Sequence, residues 1–143
     1  MPTDLITNLR NISQDTAIGI GLPLFGDYGS RFNSTYSTID QAAANAKNLL
    51  LTNSGERVML PNFGCDLNRS LFNNLSEFTT DEIVDKIEAQ FSYWLPYINI
   101  NKLDVFYNNE DPTAVNKIYI SMVISLKNNQ IDTRSIDLTI TQA

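Results

Sequence analysis

The chain has 143 residues, a formal net charge of −6, no histidine and a single cysteine, Cys65, which together predict one domain without an internal disulfide. The scattered Lys and Arg residues form no basic stripe for nucleic acid, and the lack of histidine removes the commonest general base and metal ligand, so no cofactor is expected. No apolar run approaches the roughly 20 residues that a membrane-spanning helix needs, so no membrane partner is expected.

Residues 1–36 are predicted to form an extended N-terminal arm, and residues 37–143 a single domain. Within the arm, Ile18, Ile20, Leu22 and Leu24 alternate with glycine and proline. This alternation indicates a short strand or an extended segment that lies on an apolar surface. Two alternatives stay open, because such an arm can dock on its own domain or on a partner.

A first helix is predicted from Thr38 to Leu51, with Ser37 or Thr38 as its cap. Its alanines favour helix, and its apolar residues recur on one face. The cluster Asn53-Ser54-Gly55 is expected to stop the helix, with Gly55 suited to a positive φ. Residues 56–60 are then expected to be extended.

The segment that follows is rich in turn residues beside apolar anchors. Pro61 breaks the extended piece, and Gly64 permits a second unusual backbone angle. Phe63 and Phe72 are expected to be core anchors, and Cys65 a small buried hydrophobic residue. Leu67, Leu71 and Phe72 fit a short amphipathic turn.

Charged residues of the same segment are expected to tie its two ends together. Glu56 with Arg57, or either of them with Asp66, is predicted to form charge-assisted hydrogen bonds. The alternative is a solvated charge pair worth less than about 1 kcal/mol.

A second helix is predicted from Thr80 to Trp94. Thr79 and Glu82 match the spacing of a capping box. Ile83, Ile87 and Phe91 recur every four residues and give the helix a buried face, and Pro96 ends it.

The remaining residues change to the two-residue period of strands. Strands are predicted over residues 98–107, with an irregularity near Asn101, over residues 118–126 and over Arg134 to Thr141, with a hairpin turn at residues 127–130. The predicted fold class is α+β, with two main helices packed on a small antiparallel β-meander.

Several motifs between Leu50 and Leu75 recur in the order and at the spacing of a known family. They are Gly55-Glu56-Arg57, Pro61 with Phe63-Gly64, and Leu71-Phe72. On these residues the chain resembles the short baseplate wedge protein family of contractile-tailed phages, which has a relative in type VI secretion baseplates. The resemblance covers about 100 of the 143 residues.

The resemblance implies a structural part of a contractile injection system. It implies a fold similar to the C-terminal domain of the tail sheath protein, and six copies per baseplate. The implied partners are the tail sheath protein and the larger baseplate wedge subunits. The implied location is the baseplate of the virion tail, assembled in the host cytoplasm.

The chain departs from the family where the second helix ends. The family often has Glu-Pro-Arg at this place, and the chain has Leu95, Pro96 and Tyr97. With Trp94, these residues are predicted to contact a partner through apolar and aromatic groups. Trp94→Ala or Tyr97→Ala is expected to leave the monomer folded and to reduce wedge assembly.

The last predicted strand is the candidate edge on which a strand of the sheath protein could be added. Its outward residues are polar, which keeps an isolated edge soluble. The predicted partner-binding residues on it are Arg134, Asp137 and Thr139. The alternative is that this strand is paired on both sides.

Two other functions are weighed against a structural role. The family sometimes has a lysozyme-like label, which suggests a peptidoglycan-degrading glycoside hydrolase with two carboxylates. Glu56 and Asp66, or Glu77, are the available acids, but Arg57 beside Glu56 would lower its pKa, whereas a general acid needs a raised one. The third possibility is a regulatory binding module, because a fold alone does not fix a role.

Overall fold

The computed structural model of the protein describes residues 16–22, 24, 32–70, 77–107 and 117–141. The elements in these ranges are, in chain order, β1 (Gly19–Ile20), β2 (Ser34–Thr35), α1 (Thr38–Leu51), α2 (Leu67–Ser70), α3 (Glu77–Trp94), β3 (Ile98–Tyr107), β4 (Lys117–Leu126) and β5 (Asn129–Thr141). The predicted α+β class is confirmed, and so is the antiparallel meander, since the sheet has the order β3-β4-β5.

The central strand β4 separates the core from the outer face of the sheet. Its isoleucines and methionine at positions 118, 120, 122 and 124 are buried, and the alternate residues up to Val123 are half-buried. The helix α1 packs against β4 and β5, and α3 packs against β3. The core therefore lies between two helices and one face of a three-stranded sheet, as the two-residue and four-residue periods predict.

The predicted irregularity near Asn101 is confirmed as a bulge in β3. The pairing with β4 shifts register between Ile100 and Lys102. Asn101 is the additional residue, and its Oδ1 accepts a hydrogen bond of 3.0 Å from the buried hydroxyl of Ser125. The side chain of the bulge thus satisfies a polar group in β4 that would otherwise be buried without a partner.

Both helices differ from the predictions at their ends. The bounds of α1 are confirmed, but the side chain of Ser37 at its N-cap makes no capping hydrogen bond. At the other end Thr52 donates a hydrogen bond of 2.6 Å from its hydroxyl to the carbonyl of Asn48. Thr52 thus closes the helix before the Asn53-Ser54-Gly55 cluster begins.

The helix α3 begins at Glu77 rather than Thr80. Thr79 is therefore inside the helix, and a capping box with Thr79 as its N-cap is wrong. The predicted buried face is confirmed, since Ile83, Ile87 and Phe91 are buried. The one apolar residue in the first turn of α3, Phe78, falls outside the four-residue spacing of Ile83, Ile87 and Phe91, so this spacing does not predict the first turn.

The described part of the predicted N-terminal arm lies against α1. β1 and β2 form a two-stranded antiparallel pair, and Thr35 Oγ1 donates a hydrogen bond of 2.5 Å to Gln41 Oε1 of α1. Ile18, Ile20 and Leu24 are nevertheless about half exposed. This segment therefore contacts its own domain through polar groups and close backbone packing rather than through its alternating apolar side chains.

Candidate functional site

The connection between α1 and α2 folds as a run of consecutive turns. The backbone N–H of Gly55 donates a hydrogen bond of 2.8 Å to the carbonyl of Pro61. The backbone N–H of Leu60 donates one of 3.1 Å to the carbonyl of Arg57. Residues 56–60 are therefore not extended, and that prediction is wrong. The positive φ predicted at Gly55 is confirmed, and Gly64 also has a positive φ.

Two carboxylates fix this connection, but through partners that the sequence did not reveal. Glu56 accepts hydrogen bonds from the backbone N–H of Asn53 at 3.0 Å and from its side-chain amide at 2.7 Å. Asp66 accepts one from the backbone N–H of Ser54 at 2.6 Å and forms an ion pair with Lys86 of α3 at 3.5 Å. Among the described residues, no ion pair joins Glu56, Arg57 and Asp66 to one another, so that prediction is wrong.

Arg57 has an aromatic partner in place of the predicted carboxylate. Its guanidinium carbon lies 4.0 Å from the ring centroid of Phe63, a cation–π contact. Phe63 is buried, which confirms it as a core anchor, and its ring meets that of Trp94 edge-on at 5.3 Å. These contacts of Phe63 with Arg57 and Trp94 pack the connection against the C-terminal end of α3. Leu71 and Phe72 lie outside the described residues.

Both candidate catalytic carboxyls have lowered pKa values. Hydrogen bonds from the backbone and side chain of Asn53 lower the pKa of Glu56. For Asp66, burial raises the pKa, but hydrogen bonds from Ser54 and the charge of Lys86 together outweigh it and lower the pKa overall. A glycosidase acid needs a raised pKa, so neither group is suited to that role. The side chain of Glu77 is not among those described.

The aromatic residues at the end of α3 differ in how far they are exposed to solvent. Tyr93 is 74% exposed, whereas Trp94 is half-buried against the core and contacts the Tyr93 ring edge-on at 4.9 Å. One aromatic residue at this end of the helix, Tyr93, therefore lies at the surface. Leu95 is buried, which argues against its direct contact with a partner; Pro96 and Tyr97 are exposed.

Tyr97 links the end of the second main helix to the first one. Its hydroxyl accepts a hydrogen bond of 2.9 Å from the side-chain amide of Asn45 in α1. The position at which the family often has an arginine thus carries an intramolecular hydrogen bond in this chain. A partner contact by Trp94, Pro96 or Tyr97 stays a prediction.

The strand β5 is an edge strand that extends farther than predicted. It begins at Asn129, and β4 pairs along one of its sides. Within the part of the chain that the structure describes, no strand pairs with its other side. Such an edge leaves backbone donors and acceptors available to an incoming strand.

The three predicted residues of β5 have different surroundings. Arg134 Nε donates to Asp40 Oδ1 of α1 at 2.6 Å, so its side chain lies on the helix side of the sheet. Asp137 Oδ1 accepts a hydrogen bond of 2.7 Å from Ser121 on the outer face, and Thr139 is exposed on that face. The structure therefore brings Asp137 and Thr139 together and places Arg134 apart.

A groove of about 630 Å³ lies beside the middle of β5. One wall is formed by Arg134 and Ser135, and a second by Asp40, Ala43, Ala44 and Lys47 of α1. Residues 33–37, around β2, form the third wall. The groove is open to solvent and has both polar and apolar groups on its walls.

A metal site and a membrane helix are both without support in the described residues. No three carboxylate or thiol groups there are placed to hold a metal ion. None of the described helices combines the length and the apolar character needed to cross a bilayer.

Known proteins resemble this chain in sequence and in fold. Residues 39–130 match the sequence profile of the family described as baseplate wedge protein gp25. The baseplate wedge protein gp25 of Enterobacteria phage T4 is 31% identical over 75 residues, which are 52% of this chain and 57% of the relative. The matched segment therefore spans less than two thirds of that protein.

Two solved structures have similar folds at low sequence identity. The baseplate of the anti-feeding prophage contains a chain with a TM-score of 0.63 and 16% identity, and the match covers 84% of this chain and 94% of the other. A Geobacter sulfurreducens protein, provisionally assigned as a tail lysozyme, has a TM-score of 0.62 and 20% identity, with 75% and 93% covered. These likenesses show the fold, and the profile match shows the family. The chain is a member of the baseplate wedge protein gp25 family.

Proposed function

We propose that the chain joins the baseplate wedge to the first ring of the tail sheath and starts sheath assembly by accepting a strand from the sheath protein on β5. The observation that carries this proposal is the open side of β5 beside the groove lined by Arg134 and Ser135. Backbone groups on such an edge supply the affinity, and alternating side chains supply the register.

The other edge of the sheet is less suited to strand addition. β3 contains the bulge between Ile100 and Lys102, and its outer face carries an ion pair between Lys102 and Asp104 at 2.5 Å. Bulges and charged side chains are the devices by which natural sheets discourage edge pairing. β5 also has an irregularity, where its pairing shifts between Ser125 and Leu126, but residues 133–141 pair with β4 without interruption. This regular stretch favours β5 as the acceptor.

The remaining parts of the proposal rest on the family resemblance. They are six copies per baseplate, contacts with larger wedge subunits through the end of α3, assembly in the host cytoplasm, and a non-enzymatic role. The lowered pKa values of Glu56 and Asp66 support the last of these. The division into an N-terminal arm, residues 1–36, and a domain, residues 37–143, is also a proposal.

Hydrogen exchange of the assembled tail tests strand addition directly. We expect the amides of residues 133–141 that point away from β4 to become strongly protected when the chain and its sheath protein co-assemble, whereas the β3 amides change little. The free chain is the reference, and the chain bound to wedge subunits without sheath protein is the control. Equal exchange of residues 133–141 with and without sheath protein would refute strand addition at β5.

A further inference from the structure

A cleft of about 300 Å³ lies between the turns after α1 and the end of α3. Its apolar walls are Met59, Leu60, Pro61, Tyr93 and Trp94, and its polar groups come from Asn62 and Gln90. Its volume suits a single large side chain rather than a strand or a helix. The cleft shares no lining residue with the groove beside β5.

The rim of this cleft is unusually apolar for a surface. Met59 and Tyr93, which line the cleft, are 89% and 74% exposed, and Val58, which precedes Met59 in the chain, is 92% exposed. These side chains contribute almost nothing to the core of the chain. Large apolar groups clustered at the surface mark contact sites, and methionine adapts its shape to a partner.

The polar group at the cleft is an acceptor that lacks a partner. Gln90 Oε1 is buried and makes no hydrogen bond. A buried acceptor without a donor costs free energy, so a ligand that supplies a donor recovers that free energy when it binds. The terminal torsion of a glutamine side chain is broad, so a small rotation turns this oxygen toward the cleft.

The surroundings favour a positively charged donor. The helix α3 has five acidic residues and only one lysine, and the chain has a net charge of −6. The walls include two aromatic rings, Tyr93 and Trp94, on which a planar cation can stack. In the adjacent wall Arg57 already stacks on Phe63, so its guanidinium is not the partner of Gln90.

We propose that the cleft binds an arginine side chain of a neighbouring polypeptide. The rings of Tyr93 and Trp94 stand at 86° to each other, so the guanidinium stacks on one of them and lies against the edge of the other, and it donates an N–H to Gln90 Oε1. The apolar stem of the arginine lies along Met59 and Pro61. The surrounding Val58 and Leu60 contact apolar residues that flank the arginine in its own chain. The proposal does not depend on strand addition at β5.

The test uses Trp94 as its own reporter, because it is the only tryptophan of the chain. The full chain is titrated with N-acetyl-arginine amide, and the fluorescence of Trp94 is followed. We expect a saturable change with a dissociation constant on the order of 1 mM, as for a ligand of this size. The corresponding lysine, norleucine and aspartate amides are the controls.

Each control has a defined meaning. A weaker response to the lysine amide is expected, because it carries the charge without the planar group. An equal response to norleucine would show a purely apolar cleft, and a stronger response to aspartate would show that the amide nitrogen of Gln90 faces the ligand. Either result, or no saturable change with arginine, overturns the proposal.

Two substitutions at one position complete the test. Gln90→Leu removes the acceptor while keeping the bulk, and we expect arginine binding to weaken by about tenfold or more. Gln90→Glu supplies a carboxylate, and we expect tighter binding that weakens with salt. Unchanged binding in both variants, with circular dichroism showing a native fold, would contradict the role of Gln90.

Discussion

Gly64 and Thr52 approach so closely that a side-chain carbon on Gly64 would overlap the carbonyl oxygen of Thr52. The same oxygen accepts a hydrogen bond of 3.1 Å from the backbone N–H of Cys65. This contact joins the end of α1 to the last residues of the connection that leads into α2. The two ends of the turn-rich connection are thus held together by backbone groups, and only a residue without a side chain fits.

Gly64→Ala is expected to destabilise the chain by about 2–4 kcal/mol, because it adds a steric overlap to a backbone angle that alanine disfavours. Gly55→Ala is the matched control, since Gly55 also has a positive φ but has open space around it. We expect Gly55→Ala to cost only about 1–2 kcal/mol. Urea unfolding of both variants measures the difference, and equal losses would contradict the role of the Thr52 contact.

Asp66 is expected to stabilise the connection mainly through the hydrogen bond that it accepts from Ser54. Asp66 has a positive φ of 50°, which aspartate and asparagine tolerate better than alanine does. Asp66→Ala should therefore lower the free energy of unfolding by about 1–3 kcal/mol. Asp66→Asn keeps an acceptor and should cost less. A loss in the asparagine variant as large as that in the alanine variant would instead assign the stabilisation to the ion pair with Lys86, which both variants lack.

The stability of the chain is expected to depend on pH through Cys65. Burial raises the pKa of this thiol from 9.0 to about 12. A raised folded-state pKa gives stability that is complete below the unfolded pKa, near 9, and is lost as the pH rises toward 12. The advantage of the natural chain over Cys65→Ala should be about 1–2 kcal/mol at neutral pH and should shrink across this interval.

Urea unfolding of the two chains at several pH values measures that advantage. Because both chains contain the same tyrosines, subtraction removes their ionisation. A difference that stays constant from pH 8 to about 11 would contradict the assignment to Cys65.

The aromatic residues at the end of α3 should separate a stability effect from an assembly effect. Trp94 packs against the core, so Trp94→Ala should destabilise the monomer by about 2–4 kcal/mol. Tyr97→Phe removes only the hydrogen bond with Asn45 and should cost less than about 1.5 kcal/mol. Thermal unfolding and co-purification with wedge subunits measure the two effects. Loss of folding in Tyr97→Ala would place Tyr97 in the core.

The periodic parts of the fold could be predicted from the sequence, and the turns could not. Apolar periodicity indicates directly which residues are buried. The alternation along β4 and the four-residue spacing of Ile83, Ile87 and Phe91 therefore predict the meander and the main helices. The connection after α1 depends on single hydrogen bonds, such as Ser54 to Asp66 across twelve residues. Propensities of neighbouring residues carry no information about such contacts.

The predicted site residues show the same division. The β5 edge followed from the strand pattern, but the orientation of Arg134 depended on the position of Asp40 in a distant helix. Val58 and Met59 are not among the predicted site residues. The sequence does carry a signal for them, because three consecutive apolar residues, 58–60, in a turn-rich segment indicate an exposed apolar surface. Gln90 gave no signal, because a glutamine on a helix is ordinary until its surroundings are known.

The unequal edges of the sheet limit how copies of this chain can associate with one another. A sheet with two edges open to strand pairing can bind one copy at each edge, so its copies can assemble into open-ended fibres. Here the bulge at Ile100 and Lys102 discourages pairing at the β3 edge, so β5 is the favoured edge for a second copy. Edge-to-edge pairing between copies through β5 would therefore stop at a dimer. Any excess of free chain would stay in solution until another polypeptide supplied a strand to pair with β5.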